Sequence, residues 1–150
     1  MNKMKKLTFK ITIDAAPEKI WDIIIGKDTY PVWTSVFSEG STVETDWKKG
    51  SKALFGDGTG SGMVAYIEEH DPNKFMSIKH VGMLNDGVED TTSDKVKDWA
   101  GAHEDYTLTP VDGKTEWLVE IDVNQEWEEY MTKTWVQAQQ KVKEMAEKAG

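Results

Sequence analysis

The segment "KTEWLVEIDVNQEWEEYMTKTWVQAQQKVKEMAEKA", residues 114–149, changes its hydrophobic period partway along. Apolar and polar side chains alternate over 114–123, which predicts a strand with one buried face and one wet face. Beyond it, apolar residues recur every three or four positions, which predicts one long helix over 126–149 with a continuous apolar stripe. The members of that stripe are Trp127, Met131, Trp135, Ala138, Val142, Met145 and Ala149. Since strand and helix each have an apolar face to bury, we expect the helix to lie against a sheet.

Six more segments upstream read as strands, namely 6–14, 41–46, 51–55, 62–69, 75–82 and 102–111. Asp112-Gly113 marks a hairpin between the last of these and 114–123. Two short helices follow the first strand: Pro17 begins one that ends at Gly26, and "KDTYPVWT" forms the other. For the strands 51–55 and 62–69, the sequence does not decide which face points inward. This order predicts an α+β helix-grip fold, a curved antiparallel sheet of about six to seven strands wrapped round the long C-terminal helix.

Residues 83–101 are long for a loop in a compact domain, and such loops tend to be functional or mobile. "TSDKVKDWA" within it predicts a short helix capped by Ser93 or Asp94. From 85 to 105 there are seven acidic residues and two Lys, a local charge of 2 − 7 = −5. The segment is therefore predicted to be an acidic surface.

The composition narrows the class of protein. A chain of 150 residues suits a single domain, 1–150. Without Cys it has no disulfide, zinc-thiolate site or cysteine nucleophile, which fits a cytoplasmic location. It contains no apolar run of membrane-spanning length. The net charge is −9 and all 18 basic residues are Lys, so neither membrane insertion nor nucleic-acid binding is expected.

Several stretches resemble the SRPBCC (START-like) superfamily, and more narrowly its branch named after the activator of the heat-shock chaperone ATPase. They are "APEKIWDII", "YPVWT", "DWKKGSKALF", "GSGMVAYIEEHDPNKFMSIKHVG" and the terminal helix, and the resemblance covers roughly 5–147. It implies a cavity between the long helix and the concave sheet that holds an apolar ligand, such as a lipid, sterol or polyketide. The name of the branch describes a co-chaperone, which implies a protein partner instead.

Motifs of catalysis and metal binding are weak. "GDGTGSG" (56–62) leads into another strand rather than a helix, so it is a hairpin and not a phosphate loop. His70 is predicted to be solvated, His80 to point inward with Ile78, and His103 to lie near acidic residues. No His pair has metal-ligand spacing and no G-x-S-x-G motif occurs. We assign no catalytic residue, metal or cofactor from the sequence.

The candidate ligand-binding residues are the large apolar side chains predicted to face the cavity, together with His80. They are Trp33, Phe37, Phe55, Met63, Ile78, His80, Met83, Trp99, Tyr106, Trp117, Trp127, Met131 and Trp135. Trp33 and Phe37 are predicted to form the rim of the cavity, whereas Trp21 is predicted to anchor the first helix in the core.

Three functions remain open from the sequence. The first is a binding module that holds a small apolar ligand, lipid-like or aromatic, under the long helix. The second is a protein-interaction or co-chaperone-like domain, with a protein partner or a homodimer, which predicts an exposed apolar patch. The third is an enzyme of the cyclase or hydrolase type acting on an apolar substrate, with His80 or an inward acid transferring the proton.

Overall fold

The computed structural model describes residues 4–148, which form eight strands and four α-helices. The strands are β1 Met4–Ile13, β2 Thr42–Glu44, β3 Lys52–Gly56, β4 Gly62–Asp71, β5 Phe75–Asn85, β6 Val88–Asp90, β7 Ala102–Val111 and β8 Lys114–Asn124. The helices are α1 Pro17–Ile25, α2 Tyr30–Trp33, α3 Asp94–Lys97 and α4 Glu128–Lys148. Ala149, the last residue of the predicted helix, lies outside the described residues.

All strands pair antiparallel in one sheet of order β1-β8-β7-β5-β4-β3-β2, with β6 paired to β5 beside this path. Helix α4 contacts β1, β8 and α1. The predicted helix-grip architecture, α+β with two short helices after the first strand, is confirmed. No helix within residues 4–148 is long and apolar enough to cross a membrane.

The predicted loop 83–101 carries more structure than expected. Asp86 and Gly87 both adopt positive φ, 52° and 79°, so the chain turns back and Val88–Asp90 pairs with β5. This makes β6, an eighth strand where six to seven were predicted. The Ser93 hydroxyl accepts a hydrogen bond from the backbone N–H of Val96, which identifies Ser93 as the cap of α3.

The register fixes which side chains face the helix. Phe55 pairs with Met63, and Met63 pairs with Met83, so these three side chains form one row on the inner face. Ala65 pairs with His80 but Val64 pairs with Gly82, which leaves Val81 as a bulge in β5. Because of this bulge, His80 and Met83 face the same side although they are three residues apart.

Aromatic rings fill the space between α4 and the sheet. Trp135 contacts five rings at centroid distances of 5.1 to 6.4 Å, those of Phe9, Trp33, Phe37, Tyr106 and Trp117. They come from β1, α2, the residue that follows the 3-10 turn after α2, β7 and β8. Most of these contacts are tilted or edge-to-face, the arrangement that the charge distribution of aromatic rings favours.

Gln139 joins the helix to the sheet beneath these rings. It is only 4% exposed, and its side-chain amide donates to the backbone carbonyls of Phe9 and Trp117, at 3.3 and 3.2 Å. One polar side chain on α4 thus holds β1 and β8 at once.

We expect Gln139→Met to lower the free energy of unfolding by about 1–3 kcal/mol, because the methionine keeps the volume but removes both donors. Urea unfolding followed by circular dichroism measures this change. Gln140→Met is the matched control, since Gln140 is exposed on the same helix, and it should change stability by less than about 0.5 kcal/mol. Equal effects of the two substitutions would contradict the proposed role of Gln139.

Candidate functional site

Trp33 does not form the rim of a cavity. It is 1% exposed, its indole N–H donates to the backbone carbonyl of Ile24, and its ring packs on Trp117 and Trp135. The prediction for Trp33 is therefore wrong, because the rings of α4 and β8 occupy the volume beside it. Phe37 is half-buried against Trp135, and Trp21 is buried as predicted.

Two other predicted positions also lie away from the inner face. Trp127 precedes α4 in a 3-10 turn, Gln125–Trp127, and is 52% exposed, so the inward prediction is wrong. The apolar stripe of the helix begins at half-buried Met131 instead. Trp99 is half-buried in the turn after α3 and stacks on no ring in residues 4–148.

Two pockets of residues 4–148 lie on the surface rather than between sheet and helix. One, of about 480 Å³, is lined by Gln125, Glu128, Glu129, Thr132 and Lys133 at the start of α4. The other, of about 380 Å³, lies at the edge of the sheet and is lined by residues of β2 and β3 together with the 58–61 turn. The residues expected to surround a closed cavity instead divide into a packed core and a half-buried group.

That half-buried group is built on three rings, Tyr30, Trp47 and Phe55, which we call the aromatic trio. Their centroids are 6.2 to 6.3 Å apart in all three pairs. Tyr30 begins α2, Trp47 lies in the loop between β2 and β3 with a left-handed φ of 63°, and Phe55 points inward from β3. The half-buried Met63 and Met83 continue the row beyond Phe55, so apolar surface reaches solvent at this end of the sheet.

A polar group adjoins the aromatic trio. The His80 ring lies 5.9 Å from Phe55, and His80 Nε2 is 2.9 Å from a carboxylate oxygen of Glu104. The Tyr106 hydroxyl donates to the other oxygen of Glu104. His80 Nδ1 is buried and has no hydrogen-bond partner within the described part of the chain. The predicted residues Phe55, Met63, His80, Met83 and Tyr106 thus come together, while Ile78 lies beneath them, fully buried.

The two tyrosines of this group remain neutral. Burial, reinforced by the negative charge of Glu104, raises the pKa of the Tyr30 hydroxyl far above its usual value. The same two causes raise the pKa of Tyr106 well above its usual value. Tyr106 is therefore an uncharged hydrogen-bond donor to Glu104, and Tyr30 is a second neutral tyrosine near the same carboxylate.

His70 positions Trp47. The Trp21 indole N–H donates to His70 Nε2 at 3.0 Å, so the ring proton of neutral His70 lies on Nδ1 and is donated to the backbone carbonyl of Trp47 at 2.7 Å. The prediction that His70 is solvated is wrong, since the register of β4 turns it toward Trp21. The first helix is thus connected to the loop that carries Trp47.

Other titratable side chains of β7 face the opposite side of the sheet. His103 and Asp105 lie on the outer face, where His103 Nε2 contacts a Glu68 carboxylate oxygen at 3.0 Å and the Ser77 hydroxyl donates to Asp105 at 2.6 Å. Side chains on that face cannot reach the aromatic trio through the sheet. No group of three metal-ligating side chains is present within residues 4–148.

Sequence reasoning left Tyr30 and Trp47 out of the candidate site and considered Glu104 only among the acidic residues. Glu104 has the strand parity of Tyr106, so the alternation of β7 carried the signal that places it inward. Tyr30 and Trp47 lie outside the strands, and no periodicity indicates where their rings point.

Asp105 offers a pH-dependent test of the outer face. Burial raises its pKa, against the opposing hydrogen bond from Ser77. The folded protein then holds this proton more tightly than the unfolded chain does. Stability therefore falls as the pH rises from the ordinary Asp value, about 4, through the raised pKa.

We expect Asp105→Asn to raise the free energy of unfolding at pH 7, with a gain that shrinks as the pH falls through the raised pKa toward about 4. Urea unfolding across this pH range provides the measurement. Asp71→Asn, at an exposed residue that ends β4, should change stability by less than about 0.5 kcal/mol. A gain for Asp105→Asn that is independent of pH would contradict the assigned cause.

Comparisons with known proteins agree with this architecture. The sequence matches the family described as "Activator of Hsp90 ATPase homolog 1-like protein" over residues 14–147. No curated protein matches it. Three solved structures cover nearly the whole chain, and their identities of 15 to 18% show a shared fold.

The Aha1 dimer from Colwellia psychrerythraea is 18% identical, and the match, with a TM-score of 0.70, covers 95% of this chain and 96% of the Colwellia chain. A protein from Mesorhizobium loti is 15% identical, with coverage of 97% and 99% and a TM-score of 0.76. A protein from Cytophaga hutchinsonii is 17% identical, with coverage of 98% and 97% and a TM-score of 0.72.

Proposed function

The chain belongs to the Activator of Hsp90 ATPase homolog 1-like family, and from that premise we propose that it binds a small aromatic molecule at the aromatic trio. The observation that carries the proposal is the combination of three half-buried rings with a buried, unpaired nitrogen of His80. Small-molecule sites are mostly apolar and contain a few polar groups that orient the ligand.

The binding site differs in form from the closed cavity that the resemblance implies. Rings around Trp135 fill the volume under α4, whereas the row from Phe55 to Met83 is half-buried. A ligand would therefore enter at the β3–β5 end of the sheet and stack on Trp47 or Phe55.

The loop that carries Trp47 allows such entry. The end of the loop is held to β4, because the Gly50 N–H donates to the Ile67 carbonyl and the Ile67 N–H donates to the Ser51 carbonyl. At Trp47 itself, the backbone N–H donates to the nearby Thr45 hydroxyl. At Trp47, the hydrogen bond between His70 Nδ1 and the Trp47 carbonyl connects the loop to β4. A small movement of the loop would separate Trp47 from Phe55 and uncover His80.

We expect Trp47→Ala to weaken the binding of 2-naphthol at least tenfold, because a stacked ring contributes about 1.5 kcal/mol. Isothermal titration calorimetry on the whole chain measures the change. Trp99→Ala, which removes a half-buried indole outside the aromatic trio, is the matched control and should leave the affinity unchanged. Absence of any naphthol binding, or equal losses in both variants, would overturn the proposal.

A second candidate function, protein interaction, is favoured by a different surface. Trp127 and Tyr130 are 52% and 42% exposed, and their rings pack edge-to-face at 6.1 Å. Exposed, mutually supported aromatic rings are typical of the anchors of protein interfaces. Glu126 and Glu129 flank them in the chain and are exposed, which favours a basic partner over a second copy of this acidic chain.

This second function predicts a partner protein that binds the wild-type chain and is lost from the Trp127→Ala variant. A Trp anchor typically contributes at least about 2 kcal/mol, a loss of about thirtyfold in affinity. Affinity capture on the immobilised protein should recover a basic protein, less of it at high salt, and Val88→Ala, at another exposed apolar residue, should not change the recovery. Retention by Trp127→Ala would exclude this surface, and a concentration-dependent dimer lost in that variant would point to self-association.

A further inference from the structure

We infer that the ligand of the aromatic trio is a neutral aromatic alcohol, such as a phenol, whose hydroxyl donates a hydrogen bond to His80 Nδ1. This inference rests on the proposed function and names the chemical class of its ligand. It follows from the hydrogen bonds around Glu104 and His80.

The direction of each hydrogen bond is fixed by the carboxylate. Glu104 accepts from the Tyr106 hydroxyl through one oxygen, and its other oxygen lies 2.9 Å from His80 Nε2. An ionised carboxylate only accepts, so in an imidazole that carries a single proton Nε2 is the protonated nitrogen. Nδ1 then has a lone pair and can pair only with a donor.

That lone pair is buried without a partner in the described part of the chain. Burial of an unsatisfied polar atom carries a free-energy penalty, which a ligand hydroxyl removes and an ether oxygen does not. A site that hydrogen-bonds a ligand hydroxyl rejects analogues without that hydroxyl strongly. This discrimination is far larger than the effect of one methylene in an apolar pocket. The hydroxyl should therefore decide which aromatic compounds bind.

The charges of the site exclude the other common class of polar aromatic ligand. Among Tyr30, Trp47, Phe55, His80, Glu104 and Tyr106, the ionised group is the carboxylate of Glu104. The negative charge of an aromatic acid would lie close to it with no cation of this set to compensate. A neutral hydroxyl satisfies His80 without that repulsion.

The test compares 2-naphthol with 2-methoxynaphthalene, which keeps the oxygen and loses the donor. At pH 7.5, calorimetry on the wild-type chain should give at least tenfold tighter binding of 2-naphthol. His80→Leu should reduce this ratio to about one, mainly by weakening 2-naphthol. Equal binding of the two compounds to the wild type would overturn the inference and leave the proposed function standing, whereas failure of both to bind would overturn both.

Nitrogen NMR of the unaltered protein provides a second readout, which does not depend on how the variant folds. The free protein should show His80 Nε2 as the protonated nitrogen and Nδ1 as the unprotonated one. Addition of 2-naphthol should move the Nδ1 resonance toward the protonated range, and 2-methoxynaphthalene should not. A proton on Nδ1 in the free protein, or a preference for 2-naphthoate over 2-naphthol, would overturn the inference.

Discussion

The packing of Trp135 is the contact on which the rest of this structure depends. Its indole lies among five rings from five different segments, so β1, α2, β7, β8 and α4 cannot move independently. Dense interiors tolerate few changes of volume. The Gln139 amide fixes the same helix one turn further along, through backbone carbonyls of β1 and β8. The helix is therefore held on the β1–β8 side of the sheet.

This asymmetry leaves the other side of the concave face only partly covered. In the inner row of β3, β4 and β5, Phe55 contacts Tyr30 of α2 and Trp47. Phe55, Met63 and Met83 of this row stay half-buried. The bulge at Val81 then brings His80 to the same side as Met83. The packing of rings around Trp135 and the bulge at Val81 in β5 together create the site that we propose to bind a ligand.

The sequence predicted the elements of the fold far better than it predicted the site. Alternation over 114–123 and the stripe of the last helix are local signals, and they sufficed for strand, helix and helix-grip packing. Phe55, His80 and Tyr106 follow from strand parity. Trp33 was misplaced because periodicity shows that a residue faces inward, not whether another ring fills the space beside it. Trp127 was misplaced because the predicted apolar stripe was extended into the 3-10 turn before α4, where this side chain is exposed. Trp47 is positioned by His70 and Trp21, residues 23 and 26 positions away in the chain, and no local pattern reveals such a contact.

Two buried side-chain atoms lack hydrogen-bond partners among residues 4–148. Their surroundings show which of the two could bind a ligand. Trp117 Nε1 belongs to a fully buried ring that packs edge-to-face on Trp33, Tyr106 and Trp135. An indole N–H can find weak compensation at an aromatic face, and no ligand can reach it without disrupting the core. His80 Nδ1 has no such compensation, because a lone pair gains nothing from the electron-rich face of a ring. Its ring also borders half-buried residues rather than the packed interior, so a donor that enters beside Phe55 can reach it. The missing hydrogen-bond partner is therefore a consequence of core packing at Trp117, whereas at His80 it is a basis for ligand recognition.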